Sequence, residues 1–421
     1  MSTEIHIGGL ILPFPDDLEM PDLSDRVLFT AGDRPNTDSM PVLPDPAADH
    51  VDPVLAARRS DVEEKHRRVS AFLDQHGYDA LVLSRADSLA WFTSGGDLGQ
   101  YSLGGDLGSV FLFINRTCRA VVCDNVQSAR VFEEELAGLG FQLKERPWHE
   151  DVSRVVGELC HSKKIATDGG IPSWADELER LRPLRYALTK VERQRMRDLG
   201  RTLTLAVEAT CRNFQPGETE ADLAGHLAHR LLREGVVPVD LRVAGDDRLA
   251  RYRQPTFKSA PIEKRATIAA VGRRHGLCAA VTRIVSFGPV RKEVKAAHGL
   301  AAMIDATCIY FSRPGETVGG AFRRARRIYE KFDHSDEWTL DYQGSITAYS
   351  PREVPFVPES PLIFMPNCAL RWSPSVAATR SEDTVVIDHR GYEVVTEAQG
   401  WPKVEVVVKG FPIARPAILE R

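Results

Sequence analysis

The segment "ATCRNFQPGETEADLAGHLAHRLLREG", which begins at Ala209, is echoed 97 residues later by "ATCIYFSRPGETVGGAFRRARRIYEKF", which begins at Ala306. Both copies carry Ala-Thr-Cys, then a Phe, then Pro-Gly-Glu-Thr. In each, Pro-Gly turns the chain, and the Thr hydroxyl is placed to accept from a first-turn N–H of the next helix. One such turn would specify only a loop before a helix. Two in matched context predict an internal duplication with pseudo-two-fold symmetry. Strand-like runs follow each copy: "ATIAAVG" and "GLCAAVTRIVSFG" after the first, "PLIFMP", "TVVID", "YEVVTEA" and "VEVVVKG" after the second. Helices outside a curved sheet, made twice, leave a cleft on the pseudo-axis.

Upstream, Thr189 with Glu192 forms a capping box that opens a long helix. Before it, "DVEEKHRRVSAFLDQHGY" has helical spacing through Val62, Val69, Phe72 and Leu73. The short apolar runs "DALVLS", "SVFLFIN" and "RAVVCD" then share the chain with the helical piece "VQSARVFEEELAGLG", the pattern of an α/β domain. Residues 1–55, rich in Pro and Asp and without periodicity, predict an extended arm. The expected organisation is an arm over 1–55, an α/β domain over 56–180 and an α+β domain over 181–421. Gly-Gly-Asp-Leu-Gly occurs at 95–99 and 104–108. It lacks the Lys-Ser/Thr of a phosphate loop and the G-x-G-x-x-G spacing, so a wide turn is expected.

Of 421 residues, 43% are apolar and 27% charged, as in ordinary globular proteins. A net charge of −5 gives no electrostatic case for a nucleic-acid partner. No apolar run approaches the roughly 18 residues of a membrane span. The start, "MSTEIHIGGLILPFPDDLEM", lacks the basic region of a signal peptide. Seven scattered cysteines without a C-x-x-C pair predict reduced thiols in a cytoplasm, and no structural zinc. His226 and His229 lie three apart after Thr219 with no carboxylate cluster beside them, and are expected to be solvated or at the core edge.

On "LDQHGYDALVLSRADSLAWFTSGG", Thr282-Arg283, Arg352-Glu353-Val354-Pro355 and Thr379-Arg380-Ser381-Glu382-Asp383-Thr384, the chain resembles the pita-bread family of aminopeptidase P, prolidase, methionine aminopeptidase and creatinase. The resemblance spans roughly residues 56–415. It implies a creatinase-type α/β N-terminal domain followed by an α+β pita-bread domain. The family's metallopeptidases hold two divalent ions with two Asp, one His and two Glu. Carried over, Ala269 or Ala270 replaces the first Asp, Ala280 the second, Ser345 the His and Ser373 the first Glu; only Glu382 remains. Methyl and hydroxyl groups cannot replace the carboxylates around adjacent dications. The expectation is therefore no metal cofactor, unless Asp247 or Asp305 swings in beside Glu382.

The same carry-over places Arg283, Arg251, Arg253 and Arg352 at the cleft, with Arg380 beside Glu382. Guanidinium is a fixed planar cation that suits a carboxylate or phosphate, so the expected partner is a small anionic or zwitterionic molecule. Creatinase resembles this chain in having a metal-free cleft and hydrolyses a C–N bond with the help of a His. The matching segment here reads Arg251-Tyr252-Arg253-Gln254. The remaining candidate catalytic groups are Glu382 as general base, Tyr349 and Tyr252 as proton donors, and His298 at a predicted helix start near the cleft strands. Gln343, Ser345 and Ser373 are candidate hydrogen-bonding residues, and Trp372 a candidate wall. The resemblance thus implies a metal-independent hydrolase acting at a C–N bond. The alternatives are a non-catalytic pita-bread module that binds a peptide or small ligand, and a metallo-aminopeptidase or dipeptidase. It also implies a homodimer in which the Gly-Gly-Asp-Leu-Gly loop visits the partner's cleft.

Overall fold

The computed structural model describes residues 52–98, 107–169 and 174–421, together with two short strands near the start. The chain divides into two compact units, Met1–Val51 and Asp52–Arg421. In the first, Ile5–Ile7 pairs antiparallel with Leu10–Leu12, Ile5 opposite Leu12. The rest of the expected arm up to Val51 lies outside the described residues, as do residues 99–106 of the Gly-Gly-Asp-Leu-Gly repeat.

The larger unit opens with the helix Pro53–His76, earlier than the periodicity suggested. Asp52 accepts from the Val54 N–H, and Pro53 takes a first-turn position that needs no N–H. The helix stops at Gly77, whose φ of +67° is the left-handed conformation that glycine tolerates. Val62, Val69, Phe72 and Leu73 are buried as expected. A six-stranded mixed sheet follows, in the order Gln142–Arg146, Arg119–Asp124, Leu107–Ile114, Ala80–Arg85, Ile165–Thr167, Ala175–Asp176.

The same first helix also buries two charges. Lys65 Nζ lies 2.6 Å from Asp61 and 2.7 Å from Glu192, and donates to the Tyr349 hydroxyl at 3.3 Å. Glu192 sits in the first turn of Lys190–Asn213, where the predicted capping box with Thr189 forms. One buried ammonium therefore ties the N-terminal helix to the second half of the unit.

That second half is built on a nine-stranded, largely antiparallel sheet. Both helix-turn-helix units expected from the repeat are present, Lys190–Asn213 with Glu220–Arg233 and Lys292–Phe311 with Val318–Lys331. Thr219 caps reciprocally with Asp222, and Thr317 accepts from the Gly320 N–H. The strands Arg265–Arg274, Leu277–Ser286, Asp383–Asp388, Gly391–Val394 and Lys403–Val408 match the predicted runs. "PLIFMP" does not form a strand and contributes one isolated bridge, Thr317 to Ile363. It is bracketed by Pro361 and Pro366, which have no N–H for a ladder.

At Gly200 the helix Lys190–Asn213 packs on the backbone just after Gly391–Val394, and a Cβ there would lie 2.2 Å from the Val395 carbonyl oxygen. Gly200→Ala is expected to cost about 1–3 kcal/mol by overpacking, visible as a lower denaturation midpoint. Wild-type stability in that variant would refute this contact. All seven cysteines are free thiols. Among the described residues no helix is long and apolar enough to cross a membrane.

Candidate functional site

Strand pairing sets one row of side chains across the large sheet. Arg242 stands opposite Ala269, and Ala269 opposite Thr282. The Thr282 hydroxyl donates to Glu382 Oε2 at 2.5 Å, and its backbone N–H to the Glu382 carbonyl at 3.2 Å. Arg371, paired with Ser345 on one side and Thr384 on the other, completes the row. Its Nη1 donates to Glu382 Oε1 at 2.8 Å and its Nε to Ser345 Oγ at 3.3 Å.

This row bounds a cleft of about 730 Å³ of empty space, mouth included, lined by Arg242, Arg253, Arg352, Arg371 and Arg380. Glu382 is the one carboxylate among its described lining residues. Most of the cations have partners. Arg253 pairs with Glu337 at 2.7 Å, Arg242 with Asp240 at 2.5 Å, and Arg380 with Asp341 while also donating to Ser373 Oγ. Arg352 forms no ion pair among the described residues and lies 4.0 Å from the centre of the Tyr342 ring.

Burial alone would raise the pKa of Glu382. The charges of Arg371 and then Arg380 outweigh it and hold the group below its usual range. A general base works best near the ambient pH and with a free lone pair facing substrate. Glu382 has a depressed pKa, and each of its oxygens already accepts a short hydrogen bond. It acts here as the counter-ion of Arg371.

The cleft residues do not fit a pair of divalent ions. At the positions the resemblance assigns to ligands, Ala269 and Ala280 offer methyl groups. Ser345 and Ser373 accept from Arg371 and Arg380. A guanidinium touching the remaining carboxylate would repel any cation placed there. Asp305 instead accepts from Ser381 and Arg415 elsewhere, and Asp247 does not line the cleft. Among the described residues no three His, Cys, Asp or Glu side chains could hold a metal ion.

Of the residues singled out from sequence, Tyr252, Arg253, Ala269, Ser345, Arg352, Ser373, Arg380 and Glu382 line the cleft. The others lie elsewhere. Arg283 follows Thr282 on one strand and so points to the opposite face, where it is 1% exposed and paired with Glu208 at 3.1 Å and Asp383 at 3.0 Å. Tyr349 is buried and donates to Glu192 at 2.7 Å. Burial, followed by that carboxylate, pushes its pKa well above the usual value. His298 sits inside Lys292–Phe311 rather than at a helix start, with Nε2 2.9 Å from the Pro416 carbonyl, and burial lowers its pKa. Trp372 packs on Phe356 and donates to Ser312 at 2.9 Å. Gln343 accepts from Tyr329 at 3.0 Å and donates to the Trp338 and Asp341 carbonyls. Arg251 is exposed at the end of the short helix Arg248–Arg251. Arg371 and Arg242, which the sequence-based assignment omitted, complete the cationic lining. Strand alternation was the available signal, since it puts Arg371 on the same face as Ser373.

Compared by sequence, the chain matches no family model and no curated protein. Its architecture does match solved structures. The Xaa-Pro dipeptidase from Bacillus anthracis superposes with a TM-score of 0.68 at 15% identity, covering 86% of this chain and 100% of that one. The X-Pro aminopeptidase from Thermotoga maritima gives 0.68 at 17% identity over 85% and 100%. The N-terminal domain of the FACT complex subunit SPT16 from chickpea, Cicer arietinum, gives 0.60 at 13% identity over 80% and 97%. Identities this low establish architecture and leave activity to the residues of the site: this chain has the pita-bread fold.

Proposed function

We propose that the cleft is a metal-independent recognition site for a small carboxylate-bearing molecule. The observation that carries this is the charge of the lining. Five arginines line the cleft against one lining carboxylate, and although Arg242, Arg253, Arg371 and Arg380 are each paired with an acid, one guanidinium charge is left over. Arg352, without an acidic partner among the described residues, is the cation best placed to receive an incoming carboxylate through its paired N–H donors.

Metal-independent, creatinase-like hydrolysis of a C–N bond draws support from the fold, which is that of dipeptidases and aminopeptidases. It needs a proton acceptor and a proton donor beside the scissile bond. Tyr252 and Tyr342 line the cleft and can donate, but no His or Cys is among the described lining residues and Glu382, Ser345 and Ser373 are engaged by arginines, which leaves no free proton acceptor there. Binding without turnover is the reading the geometry supports better. We further propose a homodimer, which sedimentation would test.

The decisive experiment is calorimetric titration of small carboxylates in a chelating buffer. Arg352→Ala is expected to weaken binding about 10- to 100-fold, the effect of losing a charge-assisted hydrogen bond, with stability unchanged. Equal affinity in that variant would remove the proposal. Affinity is also expected to be flat from about pH 6 to 9, because guanidinium does not titrate there and Glu382 is already ionised. Turnover of an amide substrate in chelator, abolished by Glu382→Gln, would restore the hydrolytic reading.

A further inference from the structure

The lining of the cleft differs between its buried and its open side. Arg371, Glu382 and Ser345 form the buried, charged side. On the open side stand two aromatic rings, Tyr252 and Tyr342, 50% and 57% exposed. The segments that carry them are tied together, because the Gln254 side-chain amide donates to Asp341, the residue before Tyr342. Asp341 is held in turn by Arg380. The Tyr252 N–H donates to the Arg248 carbonyl at 3.1 Å and so closes the short helix Arg248–Arg251. The backbone under each ring is therefore fixed.

Each ring also has a guanidinium beside it. Arg248 lies 5.3 Å from the centre of the Tyr252 ring, and Arg352 lies 4.0 Å from that of Tyr342. A cation held by the ring quadrupole covers one face and leaves the rest of the ring open. Arg352 is the lining cation without an acidic partner among the described residues. A carboxylate received by Arg352 thus lies next to Tyr342, and whatever is attached to it by one or two carbon atoms reaches that ring. Ligand pockets commonly divide the work in this way, with a few polar groups orienting the ligand and aromatic walls supplying contact area. Ring against ring gains more than the buried area alone, which an aliphatic group cannot match.

We infer that the cleft takes an aromatic carboxylic acid, its carboxylate on Arg352 and its ring packed on Tyr342 and Tyr252. This rests on the carboxylate reading of the cleft and names the other half of the ligand.

The test is calorimetry on the full-length protein with acetate, cyclohexylacetate and phenylacetate. Phenylacetate is expected to bind at least about tenfold tighter than acetate, the effect of burying one ring on another, and at least about threefold tighter than cyclohexylacetate. Tyr342→Ala is expected to bring phenylacetate to within about twofold of acetate, and Tyr252→Ala to reduce the same ratio in part. Tyr342→Phe keeps the ring without the hydroxyl and is expected to keep the preference. Both tyrosines are half-exposed, so these variants are expected to fold, which the denaturation midpoint checks. Acetate binding as tightly as phenylacetate overturns this inference alone, as does a preference that survives both alanine variants. Cyclohexylacetate binding as tightly as phenylacetate overturns the aromatic assignment. Failure of all three acids to bind, with Arg352→Ala silent, sinks the carboxylate reading and this inference with it.

Discussion

Glu382→Leu is expected to lower the unfolding free energy by about 3–5 kcal/mol, because it leaves the Arg371 guanidinium buried and unpaired. The pair is close at 2.8 Å, and its side chains are 11% and 6% exposed. Neutral Ser345 alone would then receive a cation that has lost its counter-charge. The double variant Arg371→Leu/Glu382→Leu removes both charges and is expected to recover most of the loss, since a matched apolar pair often replaces a buried ion pair without cost. Denaturant unfolding of the two single variants and the double variant measures the coupling. Additive losses would mean that the pair does not act as a unit. The pH dependence has a definite sign. The folded pKa of Glu382 lies below its ordinary value of 4.5, so the pair's contribution is complete above that value and is lost as pH falls through the lower, folded pKa.

Lys65→Met is expected to be as damaging, at about 3–5 kcal/mol, through a different mechanism. Lys65 is fully buried and is the ammonium between Asp61 and Glu192, themselves nearly inaccessible. Without it, two carboxylates face each other in the joint between the first helix and Lys190–Asn213. Burial raises the pKa of Asp61, but the Lys65 charge, together with hydrogen bonds from Lys65, Thr189 and Ser94, outweighs it, so the folded group titrates below its usual 3.8. The contribution is therefore present at neutral pH and disappears in acid. Acidification should narrow the gap between Lys65→Met and wild type. A gap that widens toward low pH would contradict this account of the knot.

Much of the architecture was legible because its signals are local. Two Pro-Gly-Glu-Thr turns each placed a capping Thr before a helix, and Thr189 with Glu192 announced another helix start. Strand runs such as "TVVID" announced themselves by β-branched composition. "PLIFMP" misled because apolar content was weighed above its bracketing prolines. The site was less legible because its contacts are not local. Arg283 was drawn toward the cleft by adjacency to Thr282, although consecutive strand residues face opposite ways. Tyr349 and His298 are claimed by Glu192 and by the Pro416 carbonyl, partners more than a hundred residues away in the chain. Arg242 reaches the cleft only through the register that sets it opposite Ala269, which no short motif reveals. Arg371 was legible from strand alternation, which puts it on the face of Ser373, but it falls outside every position that the family motif marks.

The most direct test of a cleft that holds anions by arginine alone is a calorimetric titration of Mn²⁺ into chelator-stripped protein, repeated with a bound carboxylate. The predicted result is no saturable uptake of the ion and the same carboxylate affinity with or without it. Uptake of two ions per chain, or carboxylate binding that depends on them, would contradict the account.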